Sequence, residues 1–417
     1  MNIFEKKESN VRSYSNNFPV VFHKAKGCWL ETEQGERYLD FLSGAGALNY
    51  GHNNPVFKQA LLEYIEMDGI THSLDMYSKA KASFLEALNT HILKPRKLDY
   101  KVQFTGPTGT NSVEAALKLA KKVTKRSNII AFTNGFHGCT AGALAATGNH
   151  HHRQGNCSSL NHITRIPYEG YAGIDSLALF QTMLNDNSAG IDKPAAVILE
   201  VIQGEGGLNS ASNEWLQGIN EICKANDILI IVDDIQAGCG RTGTFFSFEP
   251  SGIEPDIITL SKSISGYGLP MAIVLLKPEL DIWMPGEHNG TFRGNNHAFI
   301  TATKALEIYW SNSDFETHIQ DNSKQINNVI DRCVRNYPQL FKQKRGRGMM
   351  MGIECINGEI ASVLIKKCFE NKMIIETAGP NDEVIKFFPS LTINRADLSY
   401  GLNIFEGAVE SIINDFR

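Results

Sequence analysis

Residues 228–233 read ILIIVD and residues 256–262 read DIITLSK. Both are short apolar runs rich in β-branched residues, a pattern typical of buried strands. The first run ends in Asp233, and the second leads to Lys262 just before a glycine-containing turn. Because α/β folds place their chemistry at the ends of strands, we expect one crevice to receive both the carboxylate and the amine.

The rest of the chain alternates strand patterns with helical ones. Residues 128–132 and 196–200 are further apolar runs, and residues 113–123 carry apolar side chains at helical spacing. Alternation of this kind favours a mostly parallel sheet with helices packed against it. The predicted fold class is therefore α/β.

Two domains are predicted from this pattern. Residues 50–305 contain the predicted strands and are expected to form a large domain. Residues 302–310 read as a helix that leads out of it, so residues 1–49 and 306–417 are expected to combine into a smaller domain. A chain of 417 residues is long enough for each domain to have its own core.

The composition argues against several classes of partner. The formal charge of −5 is of mixed sign, so neither nucleic acid nor a membrane surface is an expected partner. No run of about 18 apolar residues is present, and residues 1–10 lack the apolar core of a signal peptide. The eight cysteines are scattered without metal-type spacing, which is typical of reduced thiols in a cytoplasmic protein.

An amine and an acid at neighbouring strand ends match the needs of pyridoxal phosphate, whose aldehyde takes a lysine and whose ring nitrogen takes an acid. Residues 232–243 (VDDIQAGCGRTG) and 259–262 (TLSK) resemble the paired signature of the class III (omega) aminotransferases. The resemblance extends from residues 38–41 to residues 386–389. It implies a fold-type I pyridoxal phosphate transferase, with a large cofactor-binding domain and a smaller α/β domain made from both termini.

Three residues of this signature receive roles from the resemblance. Lys262 holds the cofactor as a Schiff base and then, once displaced, moves the substrate proton as general base and acid. Asp233 keeps the ring nitrogen protonated, and Gln236 is placed to hydrogen-bond the phenolate oxygen.

The cofactor phosphate needs backbone N–H groups and the positive end of a helix. Residues 109–111 (GTN) precede an amphipathic run, and Asn111 with Glu114 forms a capping-box pattern that predicts a helix start there. In the resembled family, the residues that match Gly109 and Thr110 hold the phosphate.

Two further cofactor contacts follow from the resemblance. Phe136 matches an aromatic residue that stacks on the cofactor ring, which keeps the reacting bond perpendicular to the ring plane. Thr291 matches a threonine that reaches the phosphate bound by the neighbouring subunit. The resemblance therefore implies a homodimer or a dimer of dimers.

Exchange of substrates in this family depends on a glutamate and a basic residue. Glu205 matches the gate glutamate, which neutralises the basic side chain for one substrate and releases it for the other. The matching basic position holds Lys386, where the family usually has arginine, and a lysine cannot form a bidentate fork with a carboxylate. How the keto-acid carboxylate is held is left open.

Residues 44–52, 104–111 and 290–296 are most similar to the branch of the family that acts on diaminobutyrate. Small residues at 44–47 leave room beside the cofactor, and Cys139 stands where ornithine-type relatives have an arginine. The resemblance implies two small-molecule substrates, L-2,4-diaminobutyrate and 2-oxoglutarate, converted to L-aspartate 4-semialdehyde and L-glutamate. In that branch the reaction opens ectoine biosynthesis, but the pathway served by this chain is left open.

Other interpretations remain open. A transaminase of 4-aminobutyrate or an ornithine-like amine, or a pyridoxal phosphate mutase or racemase, would need the same lysine and aspartate, whereas a non-catalytic regulator would not need the lysine. Residues 238–243 match a dinucleotide fingerprint, but no helical pattern follows them. Residues 150–152 are three consecutive histidines, which cannot all converge on one ion from a regular element, so an exposed loop and no metal are expected.

Overall fold

The structure is a computed structural model that describes residues 3–154 and 159–415. The strands are β1 (Phe22–Lys26), β2 (Trp29–Thr32), β3 (Arg37–Asp40), β4 (Lys101–Phe104), β5 (Ile129–Phe132), β6 (Ile163–Ile166), β7 (Ala196–Leu199), β8 (Ile202–Gln203), β9 (Asn209–Ser210), β10 (Leu229–Asp233), β11 (Ile257–Leu260), β12 (Ile273–Leu276), β13 (Phe341–Arg347), β14 (Met350–Cys355), β15 (Met373–Ile374), β16 (Glu376–Ala378) and β17 (Val384–Phe387).

The helices pack around these strands. They are α1 (Ile3–Lys7), α2 (Tyr14–Asn17), α3 (Ser43–Gly46), α4 (Pro55–Glu66), α5 (Lys79–Leu88), α6 (Gly109–Thr124), α7 (Ala141–Ala146), α8 (His150–Arg153), α9 (Ser176–Asn185), α10 (Asn213–Ala225), α11 (Asn296–Tyr309), α12 (Asp314–Asn336), α13 (Gly358–Glu370) and α14 (Arg395–Asp415). No helix of the described ranges is both long and apolar enough to cross a bilayer.

A seven-stranded sheet in the order β4-β12-β11-β10-β7-β5-β6 forms the centre of the protein. The pairs from β11 to β6 are parallel, and β12 pairs antiparallel with both β11 and β4. Along β10, Ile230 and Val232 belong to one buried cluster and Ile231 to another, so both faces of the sheet are covered. The predicted α/β class and its four predicted strands are confirmed.

Both ends of the chain contribute to smaller sheets. β1, β2 and β3 form an antiparallel meander that β15 extends by pairing parallel with β3. β13, β14, β17 and β16 form a second sheet from the C-terminal part alone. This places N-terminal and C-terminal strands in one layer, as the predicted smaller domain requires. The boundaries at residues 49 and 305 stay a prediction, and the second falls inside α11.

The capping-box prediction for α6 is wrong. The helix begins at Gly109, with Thr108 at the N-cap position and no side-chain cap. Asn111 donates to the Thr108 hydroxyl, so it lies in the first turn. Glu114 instead accepts from the Thr140 hydroxyl and from two N–H groups of the segment that enters α7. A tertiary contact therefore takes the carboxylate that the sequence pattern assigned to a local cap.

A buried guanidinium joins N-terminal and C-terminal segments of the chain to the loop after β10. Arg241 is fully buried and donates to Asn49 Oδ1 (3.1 Å from Nε), to the carbonyl of Met349 (3.3 Å) and to that of Pro389 (2.5 Å). Its plane lies over the ring of Phe388 at 4.0 Å. Residues far apart in sequence therefore share one donor group.

We expect Arg241→Met to lower the free energy of unfolding by about 3 kcal/mol, because it leaves several buried acceptors without a donor. Urea unfolding followed by circular dichroism measures this. Arg335→Met, at an exposed position of α12, is the control and should change stability by under about 0.5 kcal/mol. Equal effects of the two substitutions would contradict a joining role for Arg241.

Candidate active site

The amine of Lys262 lies at the end of β11, as the sequence predicts. The residue begins a short 3-10 turn with φ of 52°, a left-handed conformation that non-glycine residues rarely adopt. Its Nζ donates to the carbonyl of Ala45 at 2.8 Å. Burial lowers the pKa of Lys262 below its ordinary value, and the nearby Lys386 ammonium adds to this effect. A larger neutral fraction makes this amine a better nucleophile and base.

The carbonyl of Ala45 is a site group that sequence reasoning missed. Residues 43–46 all have positive φ, which turns this carbonyl towards the strand ends. It accepts from Lys262 and also from Gln236 Nε2 at 3.1 Å. The run of small residues at 44–47 was the only signal in the sequence, and it indicated space rather than a hydrogen bond.

Asp233 ends β10, and its carboxylate is held from two sides. β10 and β11 pair Asp233 with Thr259, whose hydroxyl donates to Oδ1 at 3.1 Å. His137 Nδ1 lies 2.7 Å from Oδ2, and both side chains are nearly inaccessible to solvent. Burial alone would lower the pKa of His137, but the hydrogen bond to Asp233 raises it above its ordinary value. The contact orients the carboxylate, and His137 had received no role from the sequence.

A buried carboxyl group connects the turn at Phe136 to the loop that carries Glu205. Glu200 accepts from the N–H of Phe136 at 2.8 Å and from the N–H of Gly204 at 3.0 Å. Burial raises the pKa of Glu200 to about 7. Phe136 itself is half-buried and forms part of a cavity wall, as a stacking residue should.

The first turn of α6 presents the features of an anion site. Its N–H groups have no side-chain cap, and a Cβ on Gly109 would lie 2.9 Å from Cδ1 of Ile235, so glycine lets the backbone approach the strand ends. The hydroxyl of Thr110 lies 2.8 Å from that of Thr140. A Cβ on Gly138 would collide with Thr110, which keeps that hydroxyl accessible.

Lys386 and Glu205, which are predicted to act as a gate, lie close together, and a second acid lies beside them. Lys386 Nζ lies 3.4 Å from Glu205 Oε1 and 2.7 Å from Glu376 Oε1. Burial alone would lower the pKa of Lys386, but the two carboxylates raise it well above its ordinary value. Glu205 also accepts from Gln236 Nε2 at 3.2 Å. Glu376 was not among the residues predicted from the sequence.

A cavity of about 1050 Å³ opens beside these groups. Its wall includes Tyr14, Phe136, His152, Glu205 and Glu376. Helix α2 therefore borders the same cavity as the turn that follows β5.

Thr291 lies apart from this cavity. It begins an exposed 3-10 turn, and its carbonyl accepts from His72 at 2.6 Å. Phe292 and Tyr77 nearby in the fold are largely exposed, and Tyr77 is fully so.

The histidine run and Cys139 have surface positions. Residues 150–153 form the short helix α8 rather than the expected loop. Within the described residues, no group of three or more potential metal ligands comes together. Cys139 is an exposed free thiol, so no guanidinium occupies that place.

The chain matches the family model described as "Aminotransferase class-III" over residues 11–409. It belongs to the class III aminotransferases. A protein of Vibrio parahaemolyticus named diaminobutyrate--2-oxoglutarate transaminase is 79% identical over 412 residues, which cover 99% of this chain and 98% of that protein. A protein of Vibrio cholerae with the same name is 67% identical over 97% of this chain and 99% of that one.

Solved structures of this family share the fold. An S-selective transaminase from Arthrobacter sp. superposes with a TM-score of 0.87 at 22% identity, covering 98% of this chain and 97% of that one. The ornithine aminotransferase of Toxoplasma gondii gives a TM-score of 0.84 at 24% identity, covering 99% and 94%. The chain is therefore a fold-type I enzyme, and the cofactor of this family is pyridoxal 5'-phosphate.

The residues present fit that cofactor. Gln236 Oε1 is buried without a hydrogen-bond partner, and the Asp233 carboxylate and Lys262 amine approach the same crevice. The uncapped turn at Gly109 can receive a phosphate. An aldehyde, a pyridine nitrogen and a phosphate thus each have a chemically suitable partner on this chain.

Asp233→Asn should preserve the shape of the site but lower turnover by roughly a thousandfold, or about 4 kcal/mol, because an amide cannot hold the ring proton. Rapid mixing with the amine donor measures the half-reaction. Asp234→Asn is the matched control, because burial raises the pKa of that carboxyl to about 7 and its contact is the N–H of Ser247. Near-normal turnover of the Asp233 variant would transfer the role to Asp234.

Proposed function

We propose that this chain is an aminotransferase that interconverts L-2,4-diaminobutyrate and 2-oxoglutarate with L-aspartate 4-semialdehyde and L-glutamate. The observation that carries the proposal is the 79% identity, over nearly the whole of both chains, to a protein named for this reaction. The geometry supports it, because an amine, an acid and a two-carboxylate gate share one crevice.

Each site residue has a proposed task. Pyridoxal phosphate, when bound, supplies an electron sink that makes a C–H bond beside the amine acidic. Lys262 Nζ takes the proton from the substrate carbon and returns it, a role that its lowered pKa favours. Asp233, oriented by His137 and Thr259, holds a proton on the ring nitrogen.

Orientation is the task of the surrounding groups. Gly109 and Thr110 would bind the phosphate, and Phe136 would cover one ring face. Gln236 is the proposed donor to the phenolate oxygen, which requires its Nε2 to leave the Ala45 carbonyl or Glu205. Glu205 is the proposed gate: against Lys386 for the amine donor, and away from it for the keto acid. Because Glu205 sits on the loop after β8, it can change position without moving the central sheet.

We propose a homodimer, or a dimer of dimers, in the cytoplasm. Thr291 lies on an exposed turn beside the exposed Phe292, and exposed apolar side chains are frequent at interfaces between subunits. The seven free cysteines of the described residues fit a reducing compartment. The product could enter ectoine biosynthesis, as in the branch that the sequence resembles.

A panel of amines assayed with 2-oxoglutarate tests the substrate. We expect diaminobutyrate to give the highest kcat/KM, and solvent deuterium to appear at its C4 in the donor half-reaction, because the terminal amine enters first. Mass spectrometry and proton NMR locate the label. Exchange at C2, or faster turnover of ornithine or 4-aminobutyrate, would overturn the substrate while leaving the family unaffected.

Mixing two inactive variants tests the assembly. Thr291→Ala and Lys262→Ala chains should form hybrid dimers with one doubly altered site and one intact site, so mixing and reassociation should restore activity. Each variant mixed with itself is the control. If Thr291 served its own subunit, no mixture would recover turnover, and an active monomer in sedimentation would also exclude the proposal.

A further inference from the structure

Glu376 and Lys386 form a fixed pair. They lie directly opposite each other on the antiparallel strands β16 and β17. The distance between Glu376 Oε1 and Lys386 Nζ is 2.7 Å, and the two side chains are 7% and 0% exposed. Because strand pairing holds the two backbone positions opposite each other, the two side chains stay within reach of each other in both halves of the reaction.

The contact of Glu205 with the same ammonium is looser. Its Oε1 lies 3.4 Å from Lys386 Nζ, and its side chain is 36% exposed. Gly204 and Gly206 flank it, and Gly207 has a φ of +96°. Of the two carboxylates, Glu205 is therefore the one that can leave.

While Glu205 is in place, the two carboxylates rather than the ammonium face an entering ligand. Glu205 and Glu376 are part of the cavity wall, whereas Lys386 is completely buried behind them. With Glu205 in place, two carboxyl groups surround one ammonium. Burial raises the pKa of Glu376, while the Lys386 ammonium favours its charged form, so the wall carries net negative charge. With Glu205 withdrawn, Glu376 still neutralises Lys386. In a site with an arginine and one glutamate, the net charge at the wall would instead change from neutral to positive when the glutamate withdraws.

The charge of Glu376 also reaches the reacting amine. It opposes the effect of burial on the pKa of Lys262, so the two groups share one electrostatic environment. A donor whose first amine reacts at the cofactor would therefore have any second ammonium group in the field of Glu376. Attraction across a partly buried cavity is much less screened than on an exposed surface.

We infer that Glu376 is a specificity-determining residue that selects amine donors carrying a second, non-reacting ammonium group. The inference rests on the proposed function and deepens it. It names the chemical feature by which a diamino acid is preferred to a simple ω-amino acid. Both carboxylates attract the second ammonium group while Glu205 is in place. When Glu205 withdraws, only the attraction by Glu376 is left.

Two substrates isolate this feature, because 4-aminobutyrate is 2,4-diaminobutyrate without its α-amine. We expect the ratio of kcat/KM for diaminobutyrate to kcat/KM for 4-aminobutyrate to fall about tenfold in Glu376→Gln, in line with the loss of one partly screened charge. The donor half-reaction, followed by rapid mixing, gives both values. The kcat/KM for 2-oxoglutarate in the second half-reaction should not fall.

Glu359→Gln is the matched control, because it removes an equal charge from an exposed position on the cavity rim. Glu359→Gln should leave the ratio of the two kcat/KM values unchanged. Glu376→Asp, which keeps the negative charge, should retain most of the preference for diaminobutyrate. If Glu376→Gln slows both amines and 2-oxoglutarate equally, Glu376 only anchors Lys386 and the inference is wrong.

The unaltered enzyme provides a test that does not depend on the folding of a variant. Lack of preference for diaminobutyrate over 4-aminobutyrate would overturn the inference by itself. Preference for an unrelated amine would overturn the proposed function instead, so the two failures are distinguishable.

Discussion

The active-site cleft depends on one buried guanidinium. Arg241 follows the loop that carries Asp233, and it binds Asn49, close in sequence to Ala45, and Pro389, close to Lys386. The carbonyl that accepts from Lys262 and the ammonium of the gate are therefore positioned from the same donor group. Sheet pairing places the strand ends, but this contact brings the two terminal segments to them.

Charge is distributed unevenly across the cleft. Acidic groups at the ends of β7 and β10 lie near His137 and Lys262, while Lys386 is balanced by two carboxylates. A cofactor with a protonated ring nitrogen complements the first region, and its phosphate complements the uncapped turn of α6. The second region is left to discriminate between substrates, which is why a lysine with two acids can stand where an arginine with one is usual.

Much of the fold and half of the site could be predicted from the sequence, because local patterns specify them. Runs of β-branched residues predict β10 and β11, and parallel pairing then brings Asp233 near Lys262. The contact between Glu376 and Lys386 could not be predicted, since it depends on the register of two strands joined by a turn. The role of the Ala45 carbonyl could not be predicted either, because its direction depends on the backbone angles of residues 43–46. The capping-box prediction at Glu114 was wrong because its carboxylate accepts from the hydroxyl of Thr140, which is distant in sequence.

The buried acids near Asp233 connect the chemistry of the cleft to the energetics of the whole chain. Burial raises the pKa of Glu200 and of Asp234 to about 7, so the folded chain binds these protons more tightly than the unfolded chain. Their contribution is fully present at acidic pH and is lost as the pH rises towards 7. A cofactor with a protonated ring nitrogen, held near these acids, would offset that loss of stability. Any ligand that binds only the folded state also adds stability by mass action. A bound cofactor would thereby stabilise the fold as well as serve the chemistry.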